Sequence, residues 1–416
     1  MDKFIVTGEV QLKGTVRISG AKNAALPIMA ATTLCSGTSI IHDVPDLSDI
    51  RNMIAILEHL GAKVSWEGKA LIIDSSALNK AFIPEFLMRE MRASIFLMGA
   101  LVGRFKEVRL SYPGGCTIGP RPIDLHIKAL EKLGAQVKEK HGLIIAEAPK
   151  LSGAEIVLDF PSVGATENAM MSAVLANGKT TIRNVAREPE IVDLETFLNK
   201  MGAKIYGAGT DTIFIDGVQN LHATEHTVMP DRIEAGTFIL AGAISHGDVT
   251  ITNISSNYLF SLLDKLSSIG SVLTFGNDFI RVKANQLYNT DIKTLPFPGF
   301  PTDLQAPMLS LLTMARGTSI VTETIFENRF QHVDQLIRMG AKIRVEGRSA
   351  IVRGVNKLTG TIVEALDLRA GASLVLAALA AEGTSIIKQV NHIDRGYEMI
   401  EQKLQNLGAY IIRDME

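Results

Sequence analysis

Four cations along this chain stand where an α-helix would repel them. Lys22, Arg92, Arg232 and Arg369 lie in Ser19-Gly20-Ala21-Lys22-Asn23, Arg89-Glu90-Met91-Arg92-Ala93-Ser94, Asp231-Arg232-Ile233-Glu234 and Asp367-Leu368-Arg369, each ahead of an apolar, small-residue run of helical character. A helix N-terminus carries unsatisfied N–H groups and the positive end of the dipole, so it favours anions and disfavours Lys or Arg. A bound anion or a neighbouring carboxylate must compensate each of these charges. Ser162, in Ser162-Val163-Gly164-Ala165-Thr166, and Asp303, in Pro301-Thr302-Asp303, open two further runs of the same kind. Their residue types suit anion binding or a nearby hydroxyl, and equally suit plain helix capping.

A second source of chemistry is the stretch Ser111-Tyr112-Pro113-Gly114-Gly115-Cys116-Thr117-Ile118-Gly119-Pro120-Arg121-Pro122-Ile123-Asp124-Leu125-His126. Its glycines and prolines describe a long exposed connection with the character of a lid. Cys116 lies at its centre, away from any apolar face, with Arg121 close behind and Pro122 suited to the first helical position. A thiol beside a guanidinium and a helix N-terminus ionises readily, and can act as an acid or a nucleophile. The plainer reading is a flexible loop with an incidental Cys. Cys35, in an apolar run, reads as core.

The elements that must position these groups repeat. Gly61, Gly134, Gly202, Gly270, Gly340 and Gly408 each stop a helix-like stretch and precede a short strand, at spacings of 73, 68, 68, 70 and 68 residues. Such a period marks one supersecondary unit copied six times. In the third copy, Glu155–Asp159 reads as strand, Glu167–Ala176 as a helix buried all round, Lys179–Arg183 as strand, Ile191–Met201 as an amphipathic helix, and 203–206 with 212–216 as a hairpin. The unit is βαβαββ. Six buried helices suit two groups of three, each inside a shell of sheets, because one core around all six would be unusually large. This predicts an α/β (α+β) fold of two similar lobes with a ligand cleft between them.

Bulk properties narrow the function. With 416 residues and a net charge of −2, the chain has length for several domains but no basic field for nucleic acid. The N-terminal residues carry no secretory pattern, and the run Ala370–Ala381 is too short to span a bilayer. Two cysteines make no disulfide framework, which points to cytoplasm, and the scattered histidines show no metal-binding spacing. No metal, no nucleic acid and no membrane partner is expected.

The segment Pro113–Pro122 closely resembles the catalytic loop of the UDP-N-acetylglucosamine 1-carboxyvinyltransferases, enolpyruvyl transferases that open bacterial peptidoglycan synthesis. Ser19–Pro27, Glu188–Asp193, Pro230–Glu234, Glu327–Phe330 and His392–Tyr397 resemble motifs of the same family, so the resemblance spans the chain. It implies a two-lobed inside-out α/β barrel. One lobe is 21–229, with the Cys loop at 111–122, and the other joins 1–20 to 230–416, with the active site in the cleft. It implies transfer of the enolpyruvyl group of phosphoenolpyruvate to the 3-hydroxyl of UDP-N-acetylglucosamine, with release of phosphate, by a cytoplasmic monomer. No cofactor is implied beyond a covalent phosphoenolpyruvate-derived adduct on Cys116.

By the same resemblance Cys116 protonates C3 of phosphoenolpyruvate. Lys22, Arg121 and Arg395 hold its phosphate with Asn23 beside them, and Arg329 and Arg369 face its carboxylate or stabilise a closed form. Asp303 acts on the sugar 3-hydroxyl as base or as orienting group. Arg121, Pro122, Ile123, Asp124 and Leu125 line the uridine, and Asn23, Arg92, Ser162, Val163, Gly164 and Ile325 complete the UDP-sugar pocket. The plainer reading pairs the arginines with Asp394, Asp367 or Glu327. Phe160-Pro161 departs from the Lys-Val that many members carry, which implies weaker diphosphate binding there. The alternatives are the sister 5-enolpyruvylshikimate-3-phosphate synthase, which lacks the Cys loop, and a non-catalytic UDP-sugar-binding paralogue.

Overall fold

A computed structural model of the chain describes residues 2–114 and 122–415. Among them, 2–19 with 230–415 form one compact unit and 20–114 with 122–229 another. Each unit contains three four-stranded sheets and three inner helices. Within a repeat the sheet order is first, second, fourth, third strand. In the third repeat Glu155–Val157 runs parallel to Lys179–Arg183, which pairs antiparallel with Thr212–Asp216, which pairs antiparallel with Lys204–Tyr206. The fourth strands alternate buried and open residues, as in Ala70–Asp74, because one face covers the helices. No sheet among the described residues closes on itself; the sheets form the outer layer of each unit.

The inner helices are Lys22–Ala31, Phe96–Phe105 and Val163–Ala173 in one unit, and Arg232–Ile244, Gln305–Leu312 and Leu368–Ala380 in the other. Every residue of Arg232–Ile244 and of Gln305–Leu312 is buried. Small residues make this possible by letting backbones approach. At Gly99 a side chain would come 2.4 Å from the carbonyl oxygen of Asn168 on the neighbouring inner helix. The outer helices, such as Ser48–Leu60 and Pro189–Lys200, are amphipathic and bury one face.

Two strands change places relative to the sequence order. Lys13–Arg17, which precedes the first inner helix, pairs parallel with Asp248–Thr252, while Glu225–Thr227, which precedes Arg232–Ile244, pairs parallel with Ile40–His42. Lys3–Thr7 is the fourth strand of the last sheet, between Thr384–Lys388 and Tyr410–Asp414. The 230–415 unit is therefore completed by the two N-terminal strands, and the first sheet of the other unit by the last strand of its own stretch.

The boundaries of the third repeat shift by a few residues from expectation. Its inner helix starts at Val163, because Ser162 caps it, and its outer helix starts at Pro189, whose fixed φ and missing N–H suit the first turn. The six repeat glycines all adopt the left-handed conformation, with φ between 95° and 107°. In five of them the next residue's N–H returns to the carbonyl five positions back, as Ala135 does to Leu130 and Ala409 to Leu404, the Schellman closure of a helix.

An added Cβ at Gly408 meets nothing within 4 Å, whereas at Gly270 it meets the Gln286 carbonyl oxygen at 2.8 Å. Gly408→Ala therefore isolates backbone strain and is expected to cost about 1–2 kcal/mol. Gly270→Ala is expected to cost more, by denaturant unfolding of both variants.

Candidate active site

In the unit built from 20–229, Lys22 is the first residue of its helix and is buried. Its Nζ lies 3.0 Å from Oδ2 of buried Asp49, in the first turn of Ser48–Leu60. A carboxylate thus offsets the charge that opposes the dipole, and Asp49 stands at an N-terminus where its own charge is favoured. Asn23 follows, half-buried.

Arg92 corrects the sequence reading. It opens a 3₁₀ turn, Arg92–Ile95, and the α-helix begins only at Phe96. Its charge is thus displaced from the helix end, and Nη2 donates to the Pro122 carbonyl at 3.4 Å. Pro122 also lies outside the helix expected to begin there. Asp124 is the first residue of Asp124–Lys132, with Ile123 as its flanking residue. Cys116 and Arg121 fall outside the described residues.

One buried amide, which sequence reasoning missed, ties the expected UDP-sugar segments together. The Gly99 N–H donates to Asn168 Oδ1 at 2.6 Å, which fixes the amide orientation, and Asn168 Nδ2 lies 2.8 Å from His126 Nδ1. Nδ1 must then accept, so His126 carries its proton on Nε2. The ring sits against Gly164, where a side chain would meet Cε1 at 3.1 Å. Leu125 is half-buried on the helix that carries His126. Ser162 caps its helix, accepting from Ala165 N–H at 3.4 Å, and the first helical residues Val163 and Gly164 point their N–H groups out of the helix end. Phe160 is 45% exposed, next to Asp159, which binds Lys128 at 2.7 Å.

Glu167, on the same inner helix, is fully buried, and neither of its oxygens has a hydrogen-bond partner. Burial first, then the charges of Glu190 and Glu188, push its pKa well above the usual carboxylate value.

In the other unit the focus is Asp303, in the 3₁₀ turn Thr302–Leu304 that leads into Gln305–Leu312. Oδ1 accepts from Arg329 Nη2 at 2.8 Å and Oδ2 from Arg369 Nη2 at 3.0 Å. Both guanidinium groups are buried, 4% and 5% exposed in their side chains, while Asp303 is 28% exposed. Burial opposes the charge on Arg369, but Tyr397, Asp303 and Asp231 outweigh it and hold its pKa above the ordinary guanidinium value. Arg329 Nε and Arg369 Nη1 are buried without a hydrogen-bond partner. A buried donor left unmet carries a real penalty and is an opening for a ligand oxygen.

The three carboxylates weighed as partners of these arginines are otherwise engaged. Asp394 binds Arg413 at 2.6 and 3.0 Å, Glu327 binds Arg348 at 2.7 Å, and Asp367 caps its own helix through Arg369 N–H and Ala370 N–H. Arg395, half-buried, ends the 3₁₀ segment Val390–Arg395.

Two supporting residues lay beyond sequence reasoning. Buried Glu323 accepts from Thr294 Oγ1, Ile325 N–H and Phe326 N–H on one oxygen and from Thr302 Oγ1 on the other, joining the turn of Asp303 to the loop of Ile325. Buried His332, hydrogen-bonded to the Arg329 backbone, is held neutral with a pKa of about 4, chiefly by desolvation. Among the described residues no group of three His, Cys, Asp or Glu could hold a metal ion, and no helix is long and apolar enough to cross a membrane.

The raised pKa of Glu167 makes its contribution to stability complete below the unfolded carboxyl value and lost as pH rises through the folded one. Glu167→Gln is expected to remove that loss. Urea midpoints of the two proteins should converge at acid pH and diverge in favour of Gln as pH rises.

The chain matches the family model described as EPSP synthase (3-phosphoshikimate 1-carboxyvinyltransferase) over residues 6–404. It is 53% identical over 417 residues to UDP-N-acetylglucosamine 1-carboxyvinyltransferase 2 of Caldanaerobacter subterraneus subsp. tengcongensis, covering 100% of both chains. It is also 53% identical to the protein of the same name from Carboxydothermus hydrogenoformans, with 99% of each covered. The enolpyruvyl transferase NikO from Streptomyces tendae superposes with a TM-score of 0.90 at 26% identity, covering 100% of this chain and 99% of that one. EPSP synthase from Acinetobacter baumannii shares the fold, with a TM-score of 0.78 at 18% identity and 100% of both covered. With a cation held at one inner-helix start, a carboxylate clamped by two guanidiniums at another and kinship along its full length, the chain belongs to the UDP-N-acetylglucosamine 1-carboxyvinyltransferases, enzymes of the EPSP synthase family.

Proposed function

We propose that this chain transfers the enolpyruvyl group of phosphoenolpyruvate to the 3-hydroxyl of UDP-N-acetylglucosamine, releasing phosphate, as the committing step of bacterial cell-wall synthesis. The observation that carries the reading is the Asp303–Arg329–Arg369 cluster in a chain whose Pro113–Pro122 segment resembles the catalytic loop of the family.

In the first half-reaction the Cys116 thiol gives its proton to C3 of phosphoenolpyruvate. The sugar 3-oxygen bonds to C2, and its proton passes toward Asp303. In the second half-reaction C3 returns a proton to the Cys116 thiolate, the bond from C2 to the phosphate oxygen breaks, and the C2–C3 double bond returns. Phosphate leaves with the proton that the sugar hydroxyl gave up. Lys22, Arg121 and Arg395, with Asn23, hold the phosphate, so that charge neutralisation and positioning carry the rate without a metal. The unmet donors of Arg329 and Arg369 suit the carboxylate of phosphoenolpyruvate.

Asp303, held through both oxygens by buried guanidiniums, is a well-aimed acceptor, which suits orientation of the hydroxyl. The uridine lies along Arg121, Pro122, Ile123, Asp124 and Leu125. The diphosphate meets Arg92 and the N–H groups after Ser162, and Ile325 borders the sugar. Thiolate addition at C2, with a proton at C3, gives the covalent adduct on Cys116. The same thiolate opens the epoxide fosfomycin.

Phosphate release from phosphoenolpyruvate should depend on UDP-N-acetylglucosamine, and the nucleotide sugar should gain a carboxyvinyl group by mass. Cys116→Ala should lower turnover by about 10²-fold or more, the usual weight of a positioned acid. It should also abolish the mass added by fosfomycin to the Cys116 peptide. A non-catalytic binder would release no phosphate and be indifferent to the substitution.

Phe160 puts an exposed ring where relatives often carry Lys. Phe160→Lys is therefore expected to tighten UDP-N-acetylglucosamine several-fold, with turnover little changed. Unchanged affinity by calorimetry would show that the N–H groups after Ser162 already suffice.

A further inference from the structure

The repeats of the 230–415 unit differ at the C-terminal ends of their inner helices, the ends away from Asp303. The turn residue before the second strand is His246, Arg316 or Glu382 in the three copies. Glu382 is closed by an ion pair with Lys357. The other two turns border a cavity of about 860 Å³, lined among others by His246, Gln286, Arg316, Thr318, Arg353 and Asn356, with no Asp or Glu in its wall. Gln286, read with its amide oxygen toward Arg316, faces Nε, Nη1 and Nη2 of the guanidinium. Neither Arg316 nor Arg353 makes an ion pair among the described residues.

Arg353 also breaks the repeat. Where the third strand opens on Lys in other copies, the facing residue is acidic: Lys63 opposes Asp74 and Lys204 opposes Asp216. Here Lys342 opposes Arg353, with Thr318 on the other side. Like charges directly across a ladder destabilise it, so this arrangement costs stability that an Asp would supply. The negative ends of the inner-helix dipoles offset part of that charge. A ligand anion would offset the rest.

We propose that this cavity is a second ligand site, which takes a small phosphate-bearing molecule. Its phosphates meet Arg316 and Arg353 in the forked geometry that guanidinium offers to phosphate. The volume suits a metabolite rather than a lone ion. Its lining includes Asn285, Gln286 and Asn356 but no Phe, Tyr or Trp, so a phosphorylated sugar or a polyphosphate suits it, with the His246 imidazole the one ring in the wall.

The test is calorimetric titration of the whole chain with inorganic pyrophosphate, comparing wild type with Arg353→Asp and Arg316→Gln. Pyrophosphate held at the catalytic site contributes equally to all three proteins, so the difference reports this cavity. Each substitution is expected to weaken the additional binding at least tenfold. Arg353→Asp should also keep or raise the urea midpoint, because it restores the Lys–Asp pair of the other repeats. Equal titrations in the three proteins would overturn the proposal. So would a lowered midpoint for Arg353→Asp, which would make Arg353 a structural partner of the helix ends.

Discussion

A helix buried on every side can carry a charge only near its ends. That constraint governs the whole chain. Arg232–Ile244 and Gln305–Leu312 expose no flank to water, so any charge they bring must enter at the first or last turn. N-termini offer N–H groups and a positive field. Ser162, Asp231 and Asp367 spend their side chains on those N–H groups. Lys22 and Arg369 do the reverse, and their charges persist because Asp49 and Asp303 lie at 3.0 Å from each. In the 230–415 unit the contact of Asp303 with Arg369, and the influence of Asp231 on Arg369, bring three inner-helix starts to one place.

The same constraint explains which buried polar groups are quiet and which are under tension. Glu323 is buried but accepts four hydrogen bonds, so it acts as a rivet between two loops. Asn168 spends its amide on Gly99 and His126 and fixes one histidine tautomer beside the start of its own helix. Glu167, one residue earlier, meets no donor, and its burial raises its pKa instead. Neighbouring positions on one helix thus fall into opposite regimes, decided by whether a donor faces them.

Much of the architecture was legible because a helix that stops in the left-handed region selects Gly. Six such stops at even spacing revealed the repeat, and all six hold the expected conformation. The exchange of Lys13–Arg17 and Glu225–Thr227 was not legible from spacing, since each still precedes an inner helix whichever sheet it joins. Arg92 was placed on a helix start because a 3₁₀ turn and a first α-turn share one sequence pattern. Lys22, Asp303, Arg329 and Arg369 were found through charge at helix starts or through kinship. Their partners were not: Asp49 looks like any acidic first-turn residue, and Asp303 as the common anchor of two arginines depends on packing across two repeats.

In the proposed reaction the clamp on Asp303 favours one of the two roles that the sequence left open to it. A general base works best when its proton affinity is near that of the medium. A carboxylate with each oxygen committed to a buried guanidinium is far from that condition, because taking a proton would leave two buried cations facing a neutral acid. In that proposed reaction Asp303 holds the hydroxyl in line while its proton departs with the phosphate. In the proposed reaction this separates the labour: carbon is protonated by a loop thiol, and oxygen is aimed by a fixed carboxylate. The two arginines that engage Asp303 also carry buried donors that it does not meet, Arg329 Nε and Arg369 Nη1, open to the second anion that the proposed chemistry requires.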